Sequence, residues 1–304
     1  MPYLQLLRPQ QWIKNVFVFA ALLFGKRLTD PHSLELALLG FACFCLLSSS
    51  VYVINDIHDR EEDRLHPRKK LRPIAAGVVS VGAALGIAVS LMIVGMGGAL
   101  LLNPAFALAA GAYLALQFLY TFIFKHAVVL DVISIGLGFV LRAIAGGPLI
   151  GVEISPWLII CTFTLCLFMG FSKRRCELNA LSNSGAAPAA RHRKTLAVYT
   201  PDLLNHMTTV TAGIAVLTFL LYTMDHSTFE KFGSNYLAYT LPIVVYAIFR
   251  FAVLVEHGEV DGPTDVMLKD RPFQIALVLW VIAAVAIVYN GPGLSHFFTR
   301  LSGS

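Results

Sequence analysis

The sequence predicts an all-α, polytopic membrane protein with nine transmembrane helices, and three observations carry that expectation. Of its 304 residues, 57% are hydrophobic and only 13% charged, about half the ~25% charged share of a soluble domain; mean hydropathy is +0.72. Apolar runs recur at roughly 13–27, 34–54, 80–102, 104–124, 128–150, 156–171, 205–223, 237–256 and 272–290. Most approach the ~20 residues a helix needs to cross a bilayer, and the first and sixth are the shortest. Finally, with the N-terminus inside, seventeen lysines and arginines fall on inner segments and four on outer ones.

Basic residues concentrate on the cytoplasmic side. The N-terminus is therefore expected in the cytoplasm and the C-terminus outside, with main cytoplasmic loops at 55–79, 172–204 and 257–271. The whole chain, 1–304, reads as one transmembrane domain in the cell's inner or plasma membrane. Its net charge of +5 reflects this bias and anionic ligands, not nucleic acid. No cleavable signal is expected, because Lys26 and Arg27 follow the first run where a small-residue cleavage site would stand. The five cysteines have neither zinc spacing nor a disulfide framework and read as packing residues. The sequence sets no oligomeric state; a homo-oligomer is compatible with it.

Taken in order, LLRPQQWIKN brings Arg8, Lys14 and Asn15 to the first run. Snorkelling at the interface accounts for Arg8, whereas Lys14 and Asn15 lie deeper, within reach of a ligand. The second run ends in Ser48–Gly77, around which the chain is organised. At 100° per residue, Asn55, Asp56, Asp59 and Asp63 fall within an arc of roughly 100°, and Tyr52 and Ser48 continue that stripe into the apolar run. An acidic segment after a span is ordinarily a solvated loop. Helical spacing, and polar groups extending into a costly environment, argue instead for a site. Carboxylates one and two turns apart suit Mg²⁺, which takes oxygen ligands and is usually shared with substrate phosphates. Lys69, Lys70 and Arg72 follow, with prolines at 67 and 73 making a turn, and could hold the same phosphates.

Glycines 82, 86, 95, 97 and 98 in the third run suit close helix packing. In the fourth, Tyr113, Gln117 and Tyr120 share a face, as a cavity wall or as interhelical hydrogen-bonding groups; Lys125 closes its inner end. Asp131, Ser134, Gly138 and Arg142 share a face of the fifth. An arginine near mid-bilayer faces a cavity or a counter-charge, so Arg142 has both a ligand and a structural ion-pair reading, and Asp131 is read as a cavity residue. The sixth run ends in GFSKRRCEL, where Lys173 and Glu177 are spaced to pair. Inner loops after the second and sixth runs hint at two four-span halves. The segment EHGEVDGPTDVMLKDRP after the eighth run reads as a cap on the cavity or as an ordinary loop.

NDIHDREED resembles the NDxxDxxxD motif of the UbiA superfamily of intramembrane prenyltransferases. The resemblance covers essentially the whole chain. It implies nine transmembrane helices around a central cavity open to the cytoplasm, with Mg²⁺ and a diphosphate held by acidic motifs. It makes Asn55, Asp56, Asp59 and Asp63 the metal ligands; we read Asp56, Asp59 and Asp131 as catalytic, with Asp131 either stabilising a ring cation or orienting a ribose hydroxyl. The superfamily's second acidic motif after span six is here SKRRCELNAL, with one acid among three cations. RPQQWIKN, HPRKKLRPIAAG, FVLRAIAGG, KRRCEL and LKDRP instead resemble the decaprenyl-phosphate phosphoribosyltransferases. These transfer 5-phosphoribosyl from phosphoribosyl diphosphate (PRPP) to a polyprenyl phosphate and feed cell-wall arabinan synthesis. PRPP carries phosphate at both ends of its ribose, and Lys173, Arg174 and Arg175 replace the missing acidic motif with a cationic one. Substrate-binding residues on this reading are Lys14, Asn15, Tyr52, Lys70, Arg72, Lys125, Arg142, Lys173, Arg174 and Glu177. An aromatic prenyltransferase using a prenyl diphosphate is the first alternative. An anion transporter or channel is the second, and it would need polar residues through the outer half of the spans, where few occur.

Overall fold

A computed structural model describes residues 2–65, 69–183, 194–258, 260 and 262–301. Parts of HPRKKLRPIAAG (66–68), of the 172–204 loop (184–193) and of EHGEVDGPTDVMLKDRP (259 and 261) lie outside the described residues. Among the described residues, eight helical segments are long and apolar enough to cross a membrane and no strand occurs. Their α-helices are α1 (Pro31–His58), α2 (Val81–Leu102), α3 (Pro104–Phe122), α4 (Leu130–Ile150), α5 (Pro156–Asn183), α6 (Pro201–Met224), α7 (Leu241–Glu256) and α8 (Arg271–Leu301), with the 3₁₀ turn Tyr236–Thr240 lengthening the α7 segment to 21 residues.

Helix starts follow elementary capping chemistry. Asp30 accepts from the His32 amide (3.3 Å), Asn103 from the amides of Ala105 (2.8 Å) and Phe106 (3.1 Å), and Thr200 from that of Leu203 (3.2 Å). A proline follows each of these three caps at the first helical position, where its missing N–H has no intrahelical partner to lose.

The expected ninth span differs in kind. Residues 13–27 do not form a long α-helix; Pro9–Phe19 is a 3₁₀ helix of 11 residues and Ala20–Phe24 an α-helix of 5. This segment nonetheless runs the length of α1, in the opposite direction. Arg8 is bonded to Asp56 near the C-terminal end of α1, Trp12 Nε1 donates to Ser49 Oγ (3.0 Å), Asn15 Nδ2 donates to Ser48 Oγ (3.2 Å), and Phe19 packs on Phe41 (5.4 Å between ring centres). A 3₁₀ helix rises ~2.0 Å per residue against ~1.5 Å in an α-helix, so the two pieces together extend ~30 Å. That matches the ~30 Å hydrocarbon thickness, a length sufficient for a crossing. Gly146 of α4 permits the approach: a Cβ there would lie 2.2 Å from the Val18 carbonyl oxygen.

Two compact units divide the chain. The first comprises Met1–Ile154 with the described part of Ala187–Val198, and the second Ser155–Ala186 with Tyr199–Ser304. Phe44, Phe106 and Tyr113 centre the first core, with ring separations of 5.7 and 5.3 Å from Phe44. Of the five glycines of α2, Gly95 and Gly98 make the close approach, to Leu47 and Cys43, whereas a Cβ at Gly82, Gly86 or Gly97 would meet no neighbouring element within 4 Å. In the second unit Phe251 stacks obliquely between Phe168 (5.3 Å) and Phe273 (6.3 Å). Thr164 and Thr218 hydrogen-bond between α5 and α6 (3.0 Å). The sixth span overran its expected end: the stretch from 172 onward, read as the start of a loop, remains helical to Asn183. Within the extension Glu177 pairs with both Arg174 (2.5 Å) and Lys173 (3.9 Å) one turn away, contacts that each add a few tenths of a kcal/mol (~0.2–0.5) to a helix.

Candidate active site

In the first unit, α1 delivers Tyr52, Asn55 and Asp56 and ends at His58, with Asp59 as its C-cap. A short helix, Arg60–Leu65, carries Asp63. The expected single helical face is therefore interrupted at Asp59, although the Asp63 amide still bonds the Asp59 carbonyl (2.8 Å). Arg72 closes the gap: its Nη1 donates to Asp56 Oδ1 (3.1 Å) and to Asp63 Oδ2 (2.5 Å). Arg8 Nη2 donates to the same Asp56 oxygen, and its guanidinium lies over the Tyr52 ring at 5.3 Å. Asp59 receives the amide of Asn55 (3.0 Å) and Lys125 Nζ (2.6 Å). Asp56, Asp63 and Lys125 are buried, and Asp59 half-buried. Burial pushes the Asp63 carboxyl above the ordinary carboxylate range despite the Arg72 guanidinium beside it, since desolvation disfavours the charged form. Lys70 is exposed on the turn Lys69–Leu71.

Sequence reasoning gathered the acids, Lys125 and Arg72. It missed Arg8, which interfacial charge explained well enough; only the antiparallel run of the first segment along α1 brings it to Asp56. The donor set, three carboxylates and one amide oxygen, is all hard oxygen and suits Mg²⁺. Among the described residues, however, no three Asp, Glu, His or Cys side chains converge as a ready metal site. The carboxylates are shared out among cations instead.

Deeper in the same unit lies a second polar cluster. Arg142 donates from Nε to Asn15 Oδ1 (2.7 Å), from Nη1 to the Gly138 carbonyl (2.8 Å) and from Nη2 to Tyr113 Oη (2.8 Å). Its guanidinium also sits 4.4 Å from the Tyr113 ring centre and 5.4 Å from that of Phe139. No carboxylate is paired with Arg142 among the described residues, so the ion-pair reading of this arginine gives way to neutral acceptors and ring faces. Tyr113 acts as an interhelical hydrogen-bonding group. Lys14 is half-buried in the same segment as Asn15, and Asp131 is fully buried in the first turn of α4.

In the second unit, Arg174 is fully buried and shares Glu177 with the half-buried Lys173. Arg174 thus turns toward Glu177, beside the pair the spacing had suggested. Arg175 donates to Asn205 (3.0 Å) and Asn179 (2.8 Å) and reaches Glu256 (3.4 Å). Asp270, in the segment considered as a cap, serves structure: it accepts from the Phe273 amide (2.8 Å) at the start of α8 and takes two bonds from Arg250 (3.2 and 2.7 Å).

An α-helical membrane protein whose buried aspartates meet basic side chains at the end of one helix belongs to a recognisable class. Residues 15–278 match the UbiA prenyltransferase family. The decaprenyl-phosphate phosphoribosyltransferase of Corynebacterium glutamicum is 38% identical over 293 residues, covering 94% of this chain and 86% of that one. Its counterpart in Mycobacterium tuberculosis is 36% identical over 289 residues, 94% of this chain and 93% of that one. Among solved structures, a UbiA homolog from Archaeoglobus fulgidus bound to GPP and Mg²⁺ superposes with a TM-score of 0.71 at 22% identity, covering 95% of this chain and 99% of that one. The chain belongs to the UbiA prenyltransferase family. It is accordingly a transferase and a multi-pass membrane protein, which sets aside the transporter alternative.

Proposed function

We propose that this enzyme transfers 5-phosphoribosyl from PRPP to a polyprenyl phosphate of the decaprenyl type, releasing diphosphate, and that Mg²⁺ is required. The observation that supports this most is the end-to-end similarity to decaprenyl-phosphate phosphoribosyltransferases, whose named acceptor is a lipid phosphate. On this reading the site faces the cytoplasm from the plasma membrane and the product enters cell-wall arabinan synthesis.

Asn55, Asp56, Asp59 and Asp63 would hold Mg²⁺, which supplies charge neutralisation at the departing diphosphate. Arg72, Lys125, Lys70 and Lys14 donate to diphosphate oxygens, while Lys173 and Arg174, steadied by Glu177, hold the 5-phosphate. An oxygen of the lipid phosphate attacks C1 of the ribose as the C1–oxygen bond to diphosphate breaks, and the electron pair leaves with diphosphate. The attacking phosphate is already an anion near pH 7, so no strong base is needed. Positioning and electrostatic stabilisation of the leaving group carry the rate. Asp131 is assigned to the ribose, where its carboxylate would face the positive charge developing on the ring.

The A. fulgidus homolog bound to GPP and Mg²⁺ favours a second reading, prenyl transfer from a prenyl diphosphate to an aromatic acceptor. Purified enzyme with Mg²⁺ is offered PRPP and polyprenyl phosphate, or prenyl diphosphate and hydroxybenzoate, and the lipid products are weighed by mass spectrometry. A phosphoribosylated lipid is the expected product; a prenylated aromatic with no phosphoribosyl lipid would replace the first reading by the second.

A further inference from the structure

Asp56, Asp59 and Asp63 are each bonded to a cation. Arg72 Nη1 is shared between Asp56 (3.1 Å) and Asp63 (2.5 Å), Arg8 takes the same oxygen of Asp56, and Lys125 Nζ holds Asp59 at 2.6 Å. Three basic and three acidic groups sum to no net charge. A free Mg²⁺ approaching these carboxylates must take the oxygen lone pairs that the N–H groups now use. It would also leave two guanidiniums and an ammonium, without their counter-ions, close to a dication in a partly buried place, where like charges repel more strongly than in water. A magnesium–diphosphate chelate meets neither obstacle, because the displaced N–H groups find phosphate oxygens as new acceptors, with the geometry arginine prefers.

We propose that Arg8, Arg72 and Lys125 are exchangeable counter-ions, so that the site refuses free Mg²⁺ and accepts it only as a complex with a diphosphate. This rests on the reading of the site as one for Mg²⁺ and a diphosphate-bearing donor. It adds Arg8 to the binding residues. Arg8 sits at φ 51° and ψ 60° between the helix Pro2–Leu7 and the 3₁₀ run, a left-handed conformation that a residue with a Cβ adopts at a cost. Its guanidinium is braced by the Tyr52 ring, which leaves it in place while its anionic partner changes.

The test is calorimetric titration of the full chain in detergent with MgCl₂ alone, sodium pyrophosphate alone, and MgCl₂ in saturating pyrophosphate. Wild type is compared with Arg72→Gln and Arg8→Gln. Wild type is expected to bind Mg²⁺ about tenfold or more tightly with pyrophosphate than without, and by linkage Mg²⁺ raises pyrophosphate affinity by the same factor. Arg72→Gln should bind free Mg²⁺ more tightly than wild type and lose most of the enhancement; Arg8→Gln should do the same to a smaller degree, and a thermal melt establishes that each variant is folded. Equal Mg²⁺ affinity with and without pyrophosphate in wild type, or weaker free-Mg²⁺ binding in a folded Arg72→Gln, overturns the exchange and leaves the proposed function standing. Absence of binding heat for every ligand in wild type would remove the metal–diphosphate reading as well.

Discussion

Arg142 reaches three elements with one guanidinium: Asn15 in the 3₁₀ run, Tyr113 in α3 and Gly138 in its own helix. Lysine cannot reproduce this, because an ammonium is a point charge without the planar fork. Arg142→Lys is therefore expected to leave Asn15 Oδ1 or Tyr113 Oη short of a donor, costing about 1–3 kcal/mol per unsatisfied buried group. A lowered thermal transition in detergent checks this; an unchanged transition would mean that the three bonds hold nothing together. At Asp59 the expectation is the reverse. Asp59→Asn nearly preserves shape, so the fold should persist while Mg²⁺-dependent turnover falls by about a hundredfold or more, the scale on which electrostatic catalysis operates. A Mg²⁺ titration of the initial rate reads it, and full activity would refute the metal assignment. Asn55, Asp56, Asp59 and Lys125 were legible in the sequence because helical spacing or a span end marks them. Arg8 was not, since its meeting with Asp56 spans 48 residues and depends on one segment lying antiparallel to another.

Elements were legible where a single rule governs them. Apolar length located the eight long helices, yet periodicity cannot tell a 3₁₀ run from a short α-helix when tertiary bonds from Trp12 and Asn15 decide the matter. The continuation of α5 past its apolar stretch was missed for a related reason: hydropathy ends where the membrane does, while helix propensity and the Glu177 pairs do not. Two substitutions test what holds the elements. Gly146→Ala would drive a methyl toward the Val18 carbonyl oxygen, 2.2 Å from an ideal Cβ, and is expected to destabilise by about 1–3 kcal/mol, the usual cost of overpacking. Asp270→Asn keeps an oxygen that can cap α8, since Asn caps about as well as Asp, and removes the negative charge from the Arg250 pair. The Arg250 guanidinium, with the Phe273 amide, holds the Asp270 carboxyl below its ordinary value of 3.8. The stabilisation by the charged form is thus complete above that value and is lost as pH falls through the depressed one. Melts of wild type and Asp270→Asn should therefore differ at neutral pH, begin to approach each other only as pH falls below 3.8, and converge once it has passed the depressed value.

For the whole molecule, span parity and the positive-inside bias make a joint statement that can be checked. If Pro9–Phe24 crosses the bilayer, as its ~30 Å rise permits, the N-terminus lies on the same side as the loop after α1. If it does not, those two points lie on opposite faces. On the nine-span reading, seventeen basic residues against four lead us to expect that loop in the cytoplasm and, five crossings further on, Lys231 outside. Single cysteines at Tyr3, Glu62 and Lys231, all exposed positions, provide the probes. The native cysteines provide a quiet background, four being buried and Cys161 half-buried. A membrane-impermeant maleimide applied to intact cells should label Lys231→Cys alone, and applied to inside-out vesicles should label Tyr3→Cys and Glu62→Cys. Labelling of Tyr3→Cys from outside, with Glu62→Cys inside, would show that the 3₁₀ segment does not cross and that the chain has eight spans.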